Sequence, residues 1–280
     1  MEHLRTKYSH EITSILLDGF ETELLDAAFI NLLTPNPLRL NNFAYALREL
    51  TRHLLHRLAP SDELQSCTWF KPDPTSKTGI TRSHRIKFAI QGGLSDFYVI
   101  NKLKIDELND VSKNLIKIIS ELSNYTHVEH TTFNTELQQV ENVATKCLDA
   151  TLHFVQKINE LRVLVAERLL NDVDSVLLDR INSESVEELM ELSTHQFIEE
   201  IDPDTIVVEK IGVTSLKMQV DGTIHAILMY GSASDRRKDN GAEIPVSFPV
   251  HSEMEVHFKQ PLGSDIDLDI FSVDTSSWYD

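Results

Sequence analysis

"ALRELTRHLLHRLAP", residues 46–60, sets Arg48, Arg52, His53, His56 and Arg57 on about three turns of chain. On a helix Arg48, Arg52 and His56 are spaced by four and share one side, and His53 stands about 100° from Arg52. A guanidinium neutralises the charge that develops on a phosphate under attack. An imidazole, whose pKa lies near neutrality, moves a proton to or from a hydroxyl. The chemistry that suits this set is cleavage of a phosphodiester beside a ribose 2'-hydroxyl. Arg48 and His53 also stand in Arg-x4-His spacing, a pattern of two common residue types. The plainer alternative is that the arginines pair with carboxylates and the histidines cap a half-buried face, since surface charges are commonly just solvated.

A second pair of histidines, His127 and His130, lies in "LSNYTHVEHTTF" beside Tyr125 and Glu129, with the spacing of His53 and His56. Two such pairs could meet on a metal, but a zinc site needs four converging ligands and spacing alone does not make them converge. No metal and no cofactor is assigned. The expectation is that this segment ends a helix against the arginine-bearing one and brings His127 close to Arg48 or Arg52. A third cluster, "GSASDRRKDNGAE" at residues 231–243, offers Arg236, Arg237 and Lys238 as substrate contacts among Asp235, Asp239 and Glu243. Read functionally, the acids could hold a divalent ion beside phosphate-binding cations. Read plainly, this is a hydrophilic strand connection. The chain has no Walker phosphate loop, no dinucleotide fingerprint, no Gly-x-Ser-x-Gly elbow and no His-Glu-x-x-His, which disfavours nucleotide hydrolysis by a standard loop and serine hydrolase chemistry.

The elements that must position these residues follow from periodicity. Apolar residues at helical spacing run through Ser9–Leu33 (Ile12, Ile15, Leu16, Phe20, Leu24, Leu25, Ala28, Phe29, Leu32), and "TPNPLRL" breaks them. A second helix spans Leu38–Leu58 on a stripe of Phe43, Leu47, Leu50, Leu54 and Leu58, and "APSDE" ends it. A loop at 70–81 is followed by a helix at "RSHRIKFAIQ" that Gly92-Gly93 stops, then by helices over Glu107–Leu122 and Thr135 to about Leu170. From Asp204 the period falls to two, in short β-branched segments with Asp221-Gly222 as a hairpin signal. The expected class is α+β: a helical bundle at 1–170, an acidic helical connector at 171–203, an antiparallel β domain at 204–262 and an acidic C-terminal tail at 263–280.

The formal net charge of the 280 residues is -18, but it is uneven. Residues 36–90 hold nine Lys/Arg against four Asp/Glu, whereas 183–204 hold eight acids and no Lys/Arg. Any polyanion site is therefore local. Two cysteines, Cys67 and Cys147, are too few for a disulfide framework and point to a reducing compartment. No apolar run approaches the roughly 20 residues of a membrane helix, and the N-terminus lacks a signal-peptide core, so the expectation is a cytoplasmic protein with no membrane partner.

"NPLRLNNFAYALRELTRHLLHRLAP", "TRSHRIKFAIQGGLSD", "LSNYTHVEHTTF" and "MYGSASDRRKDNGAE...SFP" together resemble the predicted nucleases associated with prokaryotic PIWI-type systems, over residues 30–260, and the helical part resembles HEPN-type bundles. The resemblance implies a bacterial protein acting against phages or plasmids, with a nuclease activity inferred for the family. On that reading Arg48 and Arg52 bind phosphate, His53 or His56 and His127 exchange protons, and Arg236, Arg237 and Lys238 form a secondary anion contact. The partners are then RNA or single-stranded nucleic acid, a defence-system protein and a second copy of the chain. The rival is a non-catalytic adaptor whose bundle dimerises and whose acidic tail or β unit docks a partner. A hybrid has Asp265, Asp267 and Asp269 filling a basic groove as a nucleic-acid mimic.

Overall fold

The computed structural model describes residues 1–14, 16, 19–106, 108–183, 186–232, 241–259 and 265–279. Among these the chain passes through helices α1 (Glu2–Thr13), α2 (Gly19–Leu33), α3 (Arg39–Leu58), α4 (Ser61–Ser66), α5 (Arg82–Gln91), α6 (Asp96–Asn101), α7 (Leu108–Asn124), α8 (Leu137–Ser183) and α9 (Glu187–Leu192). Strands β1 (His195–Ile211), β2 (Ser215–Tyr230), β3 (Ala242–His257) and β4 (Ile266–Val273) follow, then a single 3-10 turn at Ser276–Trp278. Helices first and an antiparallel sheet last is the α+β order expected. The chain divides into two compact units, Met1–Ile100 with Lys104–Arg162, and Asn101–Leu103 with Val163–Asp280.

In the helical unit α3 is central, packing against α2, α5 and α7. Phe43, Leu47, Leu50 and Leu54 fall on one side of α3 and are almost wholly buried, as the stripe predicts. Burying that side leaves the arginine-bearing side outward. α5 is bounded as its sequence requires. The Thr81 hydroxyl accepts from the His84 backbone N–H, and His84 Nδ1 accepts from the Thr81 N–H in return. At the far end Gly92, at φ 57°, donates its N–H to the Phe88 carbonyl in a backbone conformation that favours glycine. Two expectations change here. The helix expected over Ser9–Leu33 is two helices, α1 ending at Thr13 and α2 beginning at Gly19. "APSDE" ends α3 but also opens the short α4.

The sheet unit has strand order β1-β2-β3-β4, every neighbouring pair antiparallel. Its core is the alternate-residue face of β2 (Leu216, Met218, Ile224, Leu228) with Phe248 and Val256 of β3. The stretch 171–203, expected to be helical throughout, carries the end of α8, then α9, then β1 from His195. β1 is hard to read because its register slips at Ile198/Glu200, Pro203/Thr205 and Val208/Lys210, which breaks the period of two. Asn182 of α8 holds the first slip, donating to the Ile198 carbonyl and accepting from the Ile198 N–H.

Asp221-Gly222 is no hairpin turn. It lies mid-strand in β2, Asp221 opposite Thr205 and His251, Gly222 opposite Pro203 and Val250. A Cβ at position 222 would stand 2.2 Å from the Asp202 carbonyl oxygen, so the glycine is there for close backbone approach at the second slip. The C-terminal stretch contains a strand as well: Ile266 to Val273 pairs with Val256 to Val250 of β3. Its aspartates are paired on the sheet, Asp265 with Lys259 at 2.6 Å, Asp267 with His257 at 2.9 Å and Asp269 with Lys217 at 2.9 Å. The stretch expected as an acidic C-terminal tail thus carries β4, and the three aspartates expected as a nucleic-acid mimic have their partners on the sheet. No helix among the described residues is long and apolar enough to cross a membrane.

Candidate active site

The outward side of α3 brings four of the expected residues together. Glu49 sits between the two arginines: Arg48 Nη2 donates to Oε1 at 3.0 Å and Arg52 Nε to Oε2 at 2.7 Å. Burial alone would raise the Glu49 pKa, but the hydrogen bonds from Arg52 and Arg48 outweigh it and hold the carboxyl below its usual range, so the three groups carry one net positive charge at neutral pH. Neither guanidinium is sealed in, the side chains being 28% exposed at Arg48 and 51% at Arg52. Beyond the pair, Arg48 lies over the Tyr45 ring, 5.0 Å from its centroid.

His53 Nε2 is 3.4 Å from Arg52 Nη2, and the His53 ring meets Phe20 edge-on with centroids 4.9 Å apart. His56 is one turn further along and exposed. Partial burial, then the charges of Arg85 and Arg52, push its pKa below the ordinary imidazole value, which leaves the ring neutral and able to take a proton at pH 7. Arg85 comes from α5. It is 9% exposed and donates to the Ala59 carbonyl and, at 2.8 Å, to Ser61 Oγ, so it closes the C-terminal end of α3 and adds a fixed positive charge near His56.

Arg57 is different in kind. Its guanidinium makes a two-pronged pair with Glu21, 2.9 Å at both contacts, and that carboxylate is 2% exposed. It is committed to the core.

The His127 segment meets α3, but at the helix's first turn. Asn41 Nδ2 donates to the carbonyls of Tyr125 at 3.1 Å and His127 at 2.9 Å and lies 3.0 Å from Thr132 Oγ1, and the Asn134 N–H donates to the Pro37 carbonyl. Asn41 precedes Arg48 by seven residues and Arg52 by eleven, so the His127 backbone docks about 10 Å along the axis from the first and about 16 Å from the second. The imidazole itself is exposed. Among the described residues no group of three or more His, Cys, Asp or Glu is placed to hold a metal ion. Arg236, Arg237 and Lys238, with Asp235 and Asp239, lie outside the described residues. The two thiols are buried, and burial pushes Cys67 up to about 11 and Cys147 up to about 12, which keeps both protonated.

Sequence reasoning missed Tyr45, Glu49, Arg85 and Phe20. Tyr45 and Glu49 had a signal, their helical spacing from Arg48 and Arg52. Phe20 was read as core yet is 49% exposed, and Arg85 is brought in from 26 residues beyond Ala59.

The chain is thus an α+β protein with arginines and histidines grouped on the outward side of α3 and a bulged antiparallel sheet at its C-terminal end. Two family models, each described as a predicted pPIWI-associating nuclease, match residues 13–151 and 158–279, and the chain belongs to that family. The seam between the two matches falls inside α8, close to the division of the units at Arg162 and Val163. Neither the comparison with curated proteins nor that with solved structures gives a match.

Proposed function

We propose that this protein is an RNA-cleaving nuclease of a prokaryotic defence system, working beside a PIWI-type partner, with its reaction centre on the outward side of α3. Arg48 and Arg52 bind the scissile phosphate. His56, held neutral, takes the proton of the 2'-hydroxyl, whose oxygen attacks phosphorus. The P–O5' bond breaks, and the leaving oxygen takes a proton from His53 as imidazolium. The observation that carries this reading is the grouping on the outward side of α3 of two arginines and two histidines, Arg52 and His56 exposed and Arg48 and His53 half-buried, in a chain of this nuclease family. Arg236, Arg237 and Lys238 are candidate secondary phosphate contacts, and His127 is a candidate contact for nucleotides flanking the cleaved bond.

Single replacements Arg52→Ala, His53→Ala and His56→Ala test it on a short RNA and on DNA of the same sequence. Each variant should slow RNA cleavage by about 100-fold or more, the usual worth of one proton transfer or one preorganised charge contact. The DNA should remain intact and the RNA product should end in a 2',3'-cyclic phosphate. Undiminished cleavage in all three variants, or equal cutting of DNA, ends the proposal. The adaptor reading draws support from one number, the net charge of -18, since every anion near a phosphate channel weakens nucleic-acid binding. It is the reading to adopt if the purified chain binds neither RNA nor DNA at low salt.

A further inference from the structure

Tyr45 precedes Arg48 and Arg52 on α3 by three and seven residues, so the three side chains form one row along the helix. Its ring is 53% exposed, unusual for a large aromatic with a well-packed helix at its back. The Arg48 guanidinium already lies over it, 5.0 Å from the ring centroid, so the row begins with an aromatic face beside a cation and ends in a second cation, Arg52.

We propose that Tyr45 is a base-stacking platform that selects unpaired nucleic acid: one base lies on the exposed ring while Arg48 and Arg52 hold the backbone. The inference rests on the nuclease reading and adds to it the form of the substrate. In a duplex the base faces are covered by their neighbours, so a ring can engage only a strand whose bases are free. Because every base has a π-face, the contact is tolerant of sequence. Charge alone gives this strip little hold, since Glu49 cancels one of the two arginines. An uncharged contact three residues away is the physical complement. Tyr45 and Arg52 are about 10 Å apart along the axis, a distance a few nucleotides cover.

The test uses the full chain and two labelled single strands of equal length, both 2'-O-methylated so that neither is cut: one bearing bases, the other abasic. Wild type should prefer the base-bearing strand. Tyr45→Ala should weaken that binding about tenfold and leave the abasic strand unaffected, while Tyr45→Phe keeps the wild-type preference. Thermal unfolding of both variants should match wild type, because the side chain is exposed. Equal weakening on both strands would mean that the ring serves only to hold Arg48, and no weakening on either would mean that it does nothing for binding; both overturn the inference. If wild type binds the two strands equally, stacking alone is refuted. If it binds neither, the nuclease reading itself falls.

Discussion

Replacing Glu49 by glutamine removes the carboxylate that Arg48 and Arg52 share, and the two outcomes it separates are opposite in sign. If the arginines are there to bind phosphate, Glu49→Gln raises the charge of the strip from one net positive to two and binding should tighten. If they are there to hold α3 together, the variant loses some stability and binds no better. The gain is read from salt dependence, because a site that neutralises one more phosphate releases about 0.7 more counterions from a single strand. Between about 50 and 200 mM salt, a fourfold change, that extra release makes the variant's affinity fall about 2.6-fold more than wild type's. Anisotropy titrations of a labelled single-stranded oligonucleotide across that range measure it, and Arg52→Gln should move the slope the other way by a similar amount. The stability cost should be small, about 1 kcal/mol, because both guanidinium groups reach water and are hydrated once released. An unchanged slope in Glu49→Gln together with weaker binding would refute the argument that these arginines face a polyanion.

Three further outcomes follow from the structure. The His56 imidazole, followed by NMR, should titrate below about 6.5, and the acid limb of any cleavage profile should fall with it, because activity needs the neutral ring and is lost as pH drops through the folded value. In Arg52→Gln one of the opposing charges is gone and the midpoint should rise towards 6.5; a midpoint that does not move would show that Arg52 is remote from the ring. Arg57→Ala strands a nearly buried Glu21 carboxylate and should cost about 3–5 kcal/mol in urea unfolding, whereas Glu21→Met with Arg57→Leu should regain most of it; a loss under about 1 kcal/mol in the single variant would contradict the burial of the pair. Gly222→Ala forces a methyl against the Asp202 carbonyl and should destabilise the sheet by about 1–3 kcal/mol or more, while a turn at this position would tolerate repacking at the surface; a neutral result would contradict the mid-strand register.

What the sequence discloses depends on how much of each element's environment is local. The α3 stripe is legible because a helix that buries one side must repeat apolar residues at its own period, and Phe43, Leu47, Leu50 and Leu54 do so without interruption. The second half of β1 is legible as strand from Thr205 on, but its first half, from His195, and the whole of β4 are not. Their inward residues are separated by bulges in β1 and flanked by aspartates in β4, and the aspartates are compatible with a strand only because His257, Lys217 and Lys259 stand beside them. Nothing in "SDIDLDIF" by itself announces those partners. Asp221-Gly222 misleads for a related reason. The dipeptide is a turn signal when only local backbone freedom matters, and here the missing side chain serves a neighbouring strand instead.

The candidate site divides along the same line, and the division explains its electrostatics. Arg48, Arg52, His53 and His56 could be placed together from spacing alone, since one helix supplies them all. The sign and strength of the field around them could not, because it is set by residues from elsewhere: Arg85 arrives from α5 with its charge fixed by the end of α3, and Phe20 arrives from α2 to set the His53 ring. A histidine on an acidic protein would ordinarily be expected to gain protons easily. His56 does the opposite, because partial burial and then the charges of Arg85 and Arg52 disfavour its protonated form by more than the nearby Glu49 carboxylate favours it. The net charge of -18 therefore does not decide whether this strip meets a phosphate. What decides it is whether Glu49, the acid within reach of both arginines, gives way when a phosphate competes for them.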